Sequence, residues 1–223
     1  MSNLFTYGCS FTLGNGCLPA DSYHKKYRKS EDDLIWPEIV AKELGLTLFN
    51  HGMGAFSNDK ILDSMMESLD DVQEGDIVII QKTFTHRFDI TYRREKNEPY
   101  ARRGLTVTPH CEELLKFQGY DEDEIRSIMH TVWLMDGEFN DMRVNNRFDF
   151  MKKLFLSKKV QKCIIWDVLN YHDKKNYERI QEATDGKIVD AHWSYKGHRA
   201  FANVMLNKIK AAPLEIATIK KIV

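Results

Sequence analysis

No stretch of this sequence approaches the roughly 20 apolar residues of a membrane-spanning helix. The N-terminus, Met1-Ser2-Asn3-Leu4-Phe5-Thr6-Tyr7, has no basic leader and no long apolar core. The expectation is a soluble, cytoplasmic chain with no membrane partner. Cysteine is scarce. Cys9, Cys17, Cys111 and Cys163 contain no CxxC pair and match no zinc spacing. A secreted disulfide scaffold would be smaller and denser in cysteine, so the four are read as reduced thiols and no metal is expected. Charge of one sign is lacking too. The 32 basic and 33 acidic residues leave a net charge of −1, which gives no global pull toward nucleic acid or anionic membrane. Repeats, low-complexity tracts and Pro/Gly-rich linkers are absent as well. The 223 residues therefore read as a single domain over 1–223, large enough to bury a substantial core.

What the sequence does contain is an alternation of apolar runs and helical periods. Residues 4–7 form a short strand candidate that ends at Gly8-Cys9-Ser10. Trp36, Ile39, Val40 and Leu44 recur at i, i+3, i+4 and i+8, so 34–44 reads as an amphipathic helix stopped by Gly45. Residues 46–50 are a second strand. Ser57 or Asn58 caps the next helix, whose apolar stripe is Ile61, Leu62, Met65, Met66, Leu69 and Val72. The β-branched run Ile77-Val78-Ile79-Ile80 fits a central parallel strand covered on both faces. Residues 163–166 give a fourth strand and 187–189 a short fifth. His198, Phe201, Ala202, Met205, Leu206 and Ile209 line the last helix. This order implies an α/β fold: a three-layer, doubly wound, flavodoxin-like parallel sheet.

Residues 91–136 break the rhythm. They are charged and weakly periodic, with one helix expected near 121–135. The segment reads as a folded insertion beside the carboxyl ends of the strands, where it would serve as a lid. Helix returns over 138–159, with Phe148, Met151, Leu154 and Phe155 facing inward.

Ligands of open α/β sheets bind outside the carboxyl ends of the strands. Four polar clusters fall at such ends: Gly8-Cys9-Ser10, residues 50–58, residues 81–87 and Asp190-Ala191-His192. A serine hydroxyl needs a base to become a nucleophile. A histidine has the pKa for that task, and Asp190 could orient and stabilise it. Taken singly, Ser10 is a turn former or cap and His192 a surface residue ahead of Ser194, itself a candidate cap.

Their combination resembles a known family. Gly8-Cys9-Ser10-Phe11-Thr12 is similar to the first block of SGNH/GDSL hydrolases, with cysteine in place of the usual aspartate. Asn50-His51-Gly52-Met53-Gly54-Ala55-Phe56-Ser57-Asn58-Asp59 resembles the second block, N-x-G-x-x-G-x-S-N-D. Asp190-Ala191-His192, followed by Trp193-Ser194-Tyr195-Lys196-Gly197-His198, resembles the last. The GCSFT opening is closest to a branch common in bacteriophage and environmental genomes. The resemblance implies an SGNH-type fold, Ser10 as nucleophile, His192 as base and Asp190 as third triad member; Asp190 lies two residues before the histidine where the family has three, so a Ser10–His192 dyad is the alternative. It also implies an oxyanion hole from the backbone N–H groups of Ser10 and Ala55. The third block departs from the pattern: Thr83 stands where the family has an asparagine, so its shorter hydroxyl is the third oxyanion donor, with Arg87 or His86 as alternatives. Arg87, Arg93, Arg94, Arg102 and Arg103 make this exit basic, which is a solvated face or a site for a polar substrate. Trp193 is expected on the pocket wall, Cys9 packed into the sheet, His198 packed at the start of the last helix, and Trp36 and Trp166 in the core.

The implied activity is hydrolysis of O-acyl esters, with small acyl groups on carbohydrate as substrates and no cofactor. Acyl transfer on the same residues is one alternative. A binding or particle-structural module with little turnover is another.

Overall fold

The computed structural model describes residues 2–14, 34–85, 87–93, 102–107, 111–117, 119–135, 138–171, 179–181 and 188–211. Among them, four parallel strands form the central sheet: β1 (Asn3–Gly8), β2 (Thr47–Gly52), β3 (Ile77–Lys82) and β6 (Lys162–Asp167), in the order β2-β1-β3-β6. The chain builds outward from β1 to β2, then crosses back to β3. That reversal puts a topological switch point between β1 and β3, where an open α/β sheet has its natural ligand crevice.

The strand sequences explain the layering. Ile77, Val78, Ile79 and Ile80 are all buried, because alternate side chains leave opposite faces and helices cover both. On one face Leu4, Ile77 and Ile79 meet α2 (Trp36–Leu44) and α8 (Tyr195–Lys210) through Trp36, Val40, Phe201 and Met205. On the other, Phe5, Tyr7, Val78 and Ile80 meet α3 (Asn58–Glu67) and α6 (Glu138–Ser157) through Ile61, Met65, Phe148 and Phe155. Each fully buried side chain of this size contributes about 1.5–3 kcal/mol of transfer free energy. Local chemistry sets the helix ends. The Glu38 carboxylate accepts from the Ile35 N–H at 2.9 Å at the start of α2, and Gly45, at φ 63°, ends it. Ser57 and Ser194 cap α3 and α8 through their hydroxyl oxygens. Among the described residues, no helix is long and apolar enough to cross a membrane.

Three expectations need correction. Residues 188 and 189 do not add a fifth strand to the sheet. They belong to β8 (Ile188–Trp193), which pairs antiparallel with the three-residue β7 (Arg179–Gln181) in a separate ribbon. The insertion is also more ordered than its charge suggested. It holds an antiparallel hairpin of β4 (Phe88–Arg93) and β5 (Arg102–Val107), then α4 (Glu112–Phe117), then α5 (Glu122–Met135). Val107, Cys111, Leu115, Ile125 and Val132 give it a small apolar cluster of its own. Finally, Met66 leaves the α3 stripe and is 53% exposed.

Candidate active site

Ser10 opens α1 (Ser10–Leu13), separated from the end of β1 by Cys9 alone. Cys9, in extended conformation, makes the bend between strand and helix. Its side chain is fully buried, as a packing role requires. Ser10 Oγ lies 3.9 Å from Cys9 Sγ. The Cys9 carbonyl accepts from the N–H groups of Thr12 at 2.9 Å and Leu13 at 3.0 Å. Gln81, fully buried at the end of β3, reaches across to this bend. Its Oε1 accepts from the Cys9 N–H at 3.1 Å and from the Thr12 hydroxyl at 2.6 Å, and its Nε2 donates to Cys9 Sγ at 2.9 Å. Glycine at position 8 makes room for this, since a Cβ there would lie 2.5 Å from Gln81 Oε1 and closer still to the Thr12 hydroxyl.

The second block wraps the same turn. Asn50 donates from Nδ2 to the Thr12 carbonyl at 3.1 Å, while its Oδ1 accepts from the Gly52 N–H and the Thr6 hydroxyl, each at 3.0 Å. The Met53 N–H donates to the Gly8 carbonyl at 3.1 Å. Ala55 holds φ at 60°, the left-handed region that favours glycine. Asn58 clamps Thr83 from both sides, accepting from its N–H at 2.8 Å and donating to its carbonyl at 3.1 Å. Asp59 turns away and pairs with Arg143, at 3.3 Å, and with Arg147 on α6. Beside this block a cleft of about 480 Å3 opens between β2 and α3 and includes Met53, Phe56 and Lys60 in its lining.

Thr83 is buried, and its Oγ1 accepts from the Arg87 guanidinium at 3.2 Å. The same guanidinium reaches the Phe56 carbonyl at 3.5 Å and sits 4.9 Å from the centroid of the Phe84 ring. Thr83 and Arg87, two alternatives for one role in the sequence, are hydrogen-bonded partners. His86 and Arg94 lie outside the described residues. Arg93 and Arg102 are paired across the β4–β5 hairpin, and the side chains of Arg93, Arg102 and Arg103 lie outside the described set.

His192 does not follow the last strand but sits within β8. Its ring packs 5.1 Å from the ring of Phe11, the residue after Ser10. The base candidate and the nucleophile candidate therefore share one neighbour. Asp190 faces Ile180 across the ribbon, and its side chain lies outside the described residues. Trp193 is the clearest correction. It is fully buried, against Phe11 at 5.0 Å, Trp166 at 6.0 Å and Phe201 at 4.8 Å. Strand alternation explains this: neighbours in a strand point to opposite faces, so Trp193 turns into the core beneath His192. Trp36 and Trp166 are core residues, as expected.

His198 is also where the sequence puts it, buried at the start of α8. Its Nδ1 accepts from the Trp36 N–H at 3.3 Å. Burial, assisted by the charge of His192, pushes its pKa down to about 3. It stays neutral, as an acceptor for a helix-end N–H must. His51, stacked on Tyr7 with centroids 5.0 Å apart, is also held below the usual histidine range by burial, partly offset by Asp71.

The root of the insertion touches this site. Asp89 on β4 accepts a short hydrogen bond from Ser57 Oγ and pairs with Lys60 at 3.3 Å. Sequence reasoning missed Gln81, Asn58 and Asp89 as structural partners.

The chain matches no protein-family model and no curated protein. Among solved structures it is similar to the lipase/acylhydrolase from Enterococcus faecalis, at 12% identity and a TM-score of 0.38, over 94% of this chain and 95% of that one. A protein described as lipolytic and of the G-D-S-L family, from Desulfitobacterium hafniense, is similar at 10% identity and a TM-score of 0.37, over 93% and 99%. An alpha/beta hydrolase enzyme from the metagenome of Lake Arreo is similar at 13% identity and a TM-score of 0.38, over 93% and 94%.

Proposed function

We propose that this chain is a serine ester hydrolase of the SGNH/GDSL kind, acting on O-acyl esters, with small acyl groups on carbohydrate as the substrate class. The observation that carries the reading is the convergence at the switch point. Ser10 leaves the carboxyl end of β1 with its bend held from β3, and the ring of Phe11, the next residue, lies 5.1 Å from that of His192. The shared neighbour Phe11 supports reading Ser10 and His192 as the nucleophile and base that acyl transfer needs.

In this reading His192 removes the Ser10 hydroxyl proton as Oγ attacks the ester carbonyl carbon. The tetrahedral oxyanion is met by the backbone N–H groups of Ser10 and Ala55. The alcohol leaves with the proton from His192, and Ser10 keeps the acyl group. Water, deprotonated by His192, then releases the acid and restores the hydroxyl. Asp190 orients the imidazole. Each oxyanion donor is worth roughly 3–4 kcal/mol in the transition state. The left-handed backbone at Ala55 supports its place in the hole. Thr83 is the third donor. With its oxygen accepting from Arg87, its own O–H is polarised and left to donate elsewhere. Arg87 acts through Thr83. The insertion over 91–136 flanks the pocket, a reading supported by the anchoring of Asp89 on Ser57 and Lys60.

The test is labelling with a fluorophosphonate probe, followed by intact mass and peptide mapping. Wild-type protein gains one phosphonyl group on Ser10. Ser10→Ala is not labelled, and its ester hydrolysis falls by a factor on the order of 10⁴ or more with an unchanged melting temperature. A properly folded wild type that resists the probe and hydrolyses no activated ester would make the chain a binding module instead.

A further inference from the structure

We infer that Gln81 is a positioning residue for the nucleophile turn: its buried carbonyl oxygen fixes the Gly8–Cys9 peptide, and through the Cys9 torsions the aim of the Ser10 N–H and Oγ. The inference rests on the reading of Ser10 as nucleophile.

Three observations carry it. First, the orientation of the amide is determined. A backbone N–H can only donate, so the atom facing the Cys9 N–H at 3.1 Å must be Oε1. That leaves Nε2 for Cys9 Sγ at 2.9 Å. Second, all of these bonds go to the turn and none to a neighbouring strand. A fully buried position between strand and helix would be filled at lower cost by an apolar side chain of similar volume, because a buried amide must be satisfied or pay its desolvation. Third, the space is reserved: any side chain at position 8 would collide with Gln81 and Thr12.

The geometry then gives the consequence. Cys9 is gripped on both sides, its N–H by Gln81 and its carbonyl by the N–H groups of Thr12 and Leu13. In a trans peptide the C=O and N–H point in opposite directions. With the Cys9 carbonyl turned into α1, the Ser10 N–H points out of it, although Ser10 itself is buried. No acceptor among the described residues takes that N–H. It is therefore free to meet an oxyanion. Releasing Gln81 frees the Cys9 torsions and swings both the donor and the nucleophile. A misplacement of about 1 Å at a reacting group costs on the order of 10²-fold.

Two variants of the full-length protein test this, with fluorophosphonate inactivation rates and ester kinetics normalised to folded protein. Gln81→Met removes every bond at similar volume. Its kcat should fall about 10- to 100-fold while KM changes little, since the loss is one of aim rather than of binding. Gln81→Glu separates aim from packing by pH. As a neutral acid it repeats the amide's pattern, carbonyl to Cys9 N–H and Thr12, O–H to Cys9 Sγ. Once ionised it sets a negative oxygen against the sulfur. The ratio of its kcat to that of wild type should start near one at low pH and fall as pH rises, and Gln81→Met should show no such trend. Unchanged kcat in Gln81→Met overturns the inference. If that variant does not fold, a flat ratio in Gln81→Glu overturns it. A wild type not labelled at Ser10 overturns the nucleophile reading and this inference together, whereas a labelled wild type with indifferent Gln81 variants overturns the inference alone.

Discussion

Around Ser10 the contacts are polar and directional: Gln81 to Cys9 and Thr12, Asn50 to Thr12 and Gly52, Asn58 to Thr83. On the other side the ring of His192 packs against Phe11, above a layer of Trp193, Trp166 and Phe201. Hydrogen bonds lose strength steeply with angle, so the serine side is fixed in orientation. Ring packing fills volume and tolerates small rotations, so the aromatic layer beneath His192 is fixed by shape. That division suits the proposed chemistry. A nucleophile and an oxyanion donor need one direction, whereas a base must serve both the serine hydroxyl and the leaving alcohol.

The largest effect should come from the aromatic side. Trp193→Ala should cost about 3–5 kcal/mol in denaturant unfolding, the usual range for deleting a buried large aromatic. If Trp193 lined the pocket instead, KM would rise with little change in stability. The next effect is one of pH. The folded pKa of His198, about 3, lies well below the ordinary 6.5, so the unfolded chain takes up a proton first. Its contribution is complete above pH 6.5 and is lost as pH falls toward about 3, on the order of 3 kcal/mol by pH 4. His198→Asn keeps an acceptor for the Trp36 N–H but cannot be protonated. Its unfolding free energy should therefore lose less between pH 6.5 and 4 than that of wild type, and equal slopes would place the acid sensitivity elsewhere. The smallest effect tests the serine side. Ala55→Gly relieves a left-handed alanine and should stabilise by about 1 kcal/mol with kcat nearly unchanged. A loss of stability would mean that the methyl group makes packing contacts worth more than the strain.

The parts of the fold that the sequence made legible are those where local pattern and burial agree. Ile77–Ile80 can only be a strand covered on both faces, and the i, i+3, i+4 stripe of α2 found the core as expected. The errors have local causes. Residues 88–93, Phe-Asp-Ile-Thr-Tyr-Arg, do alternate with period two, but the surrounding charge hid it. Residues 188 and 189 have the composition of a central strand, and nothing local reveals that the partner is the short antiparallel β7. Trp193 was recoverable: extending the strand through His192 would have turned its neighbour inward. The partnership of Thr83 with Arg87 and the reach of Gln81 to Cys9 were not, because both join residues through side-chain geometry that no spacing encodes.

The apolar cluster of the insertion has a consequence for how this molecule can change over generations. Val107, Cys111, Leu115, Ile125 and Val132 are buried in a cluster separate from the two that sandwich the sheet. A segment with its own small core can be remodelled, lengthened or exchanged without disturbing the packing that holds Ser10 and His192. In the proposed function, the chemistry is tied to the part of the chain packed around the sheet, and the surface beside it to a segment with a separate core. Descendants of this sequence can therefore change what they accept before they change what they do.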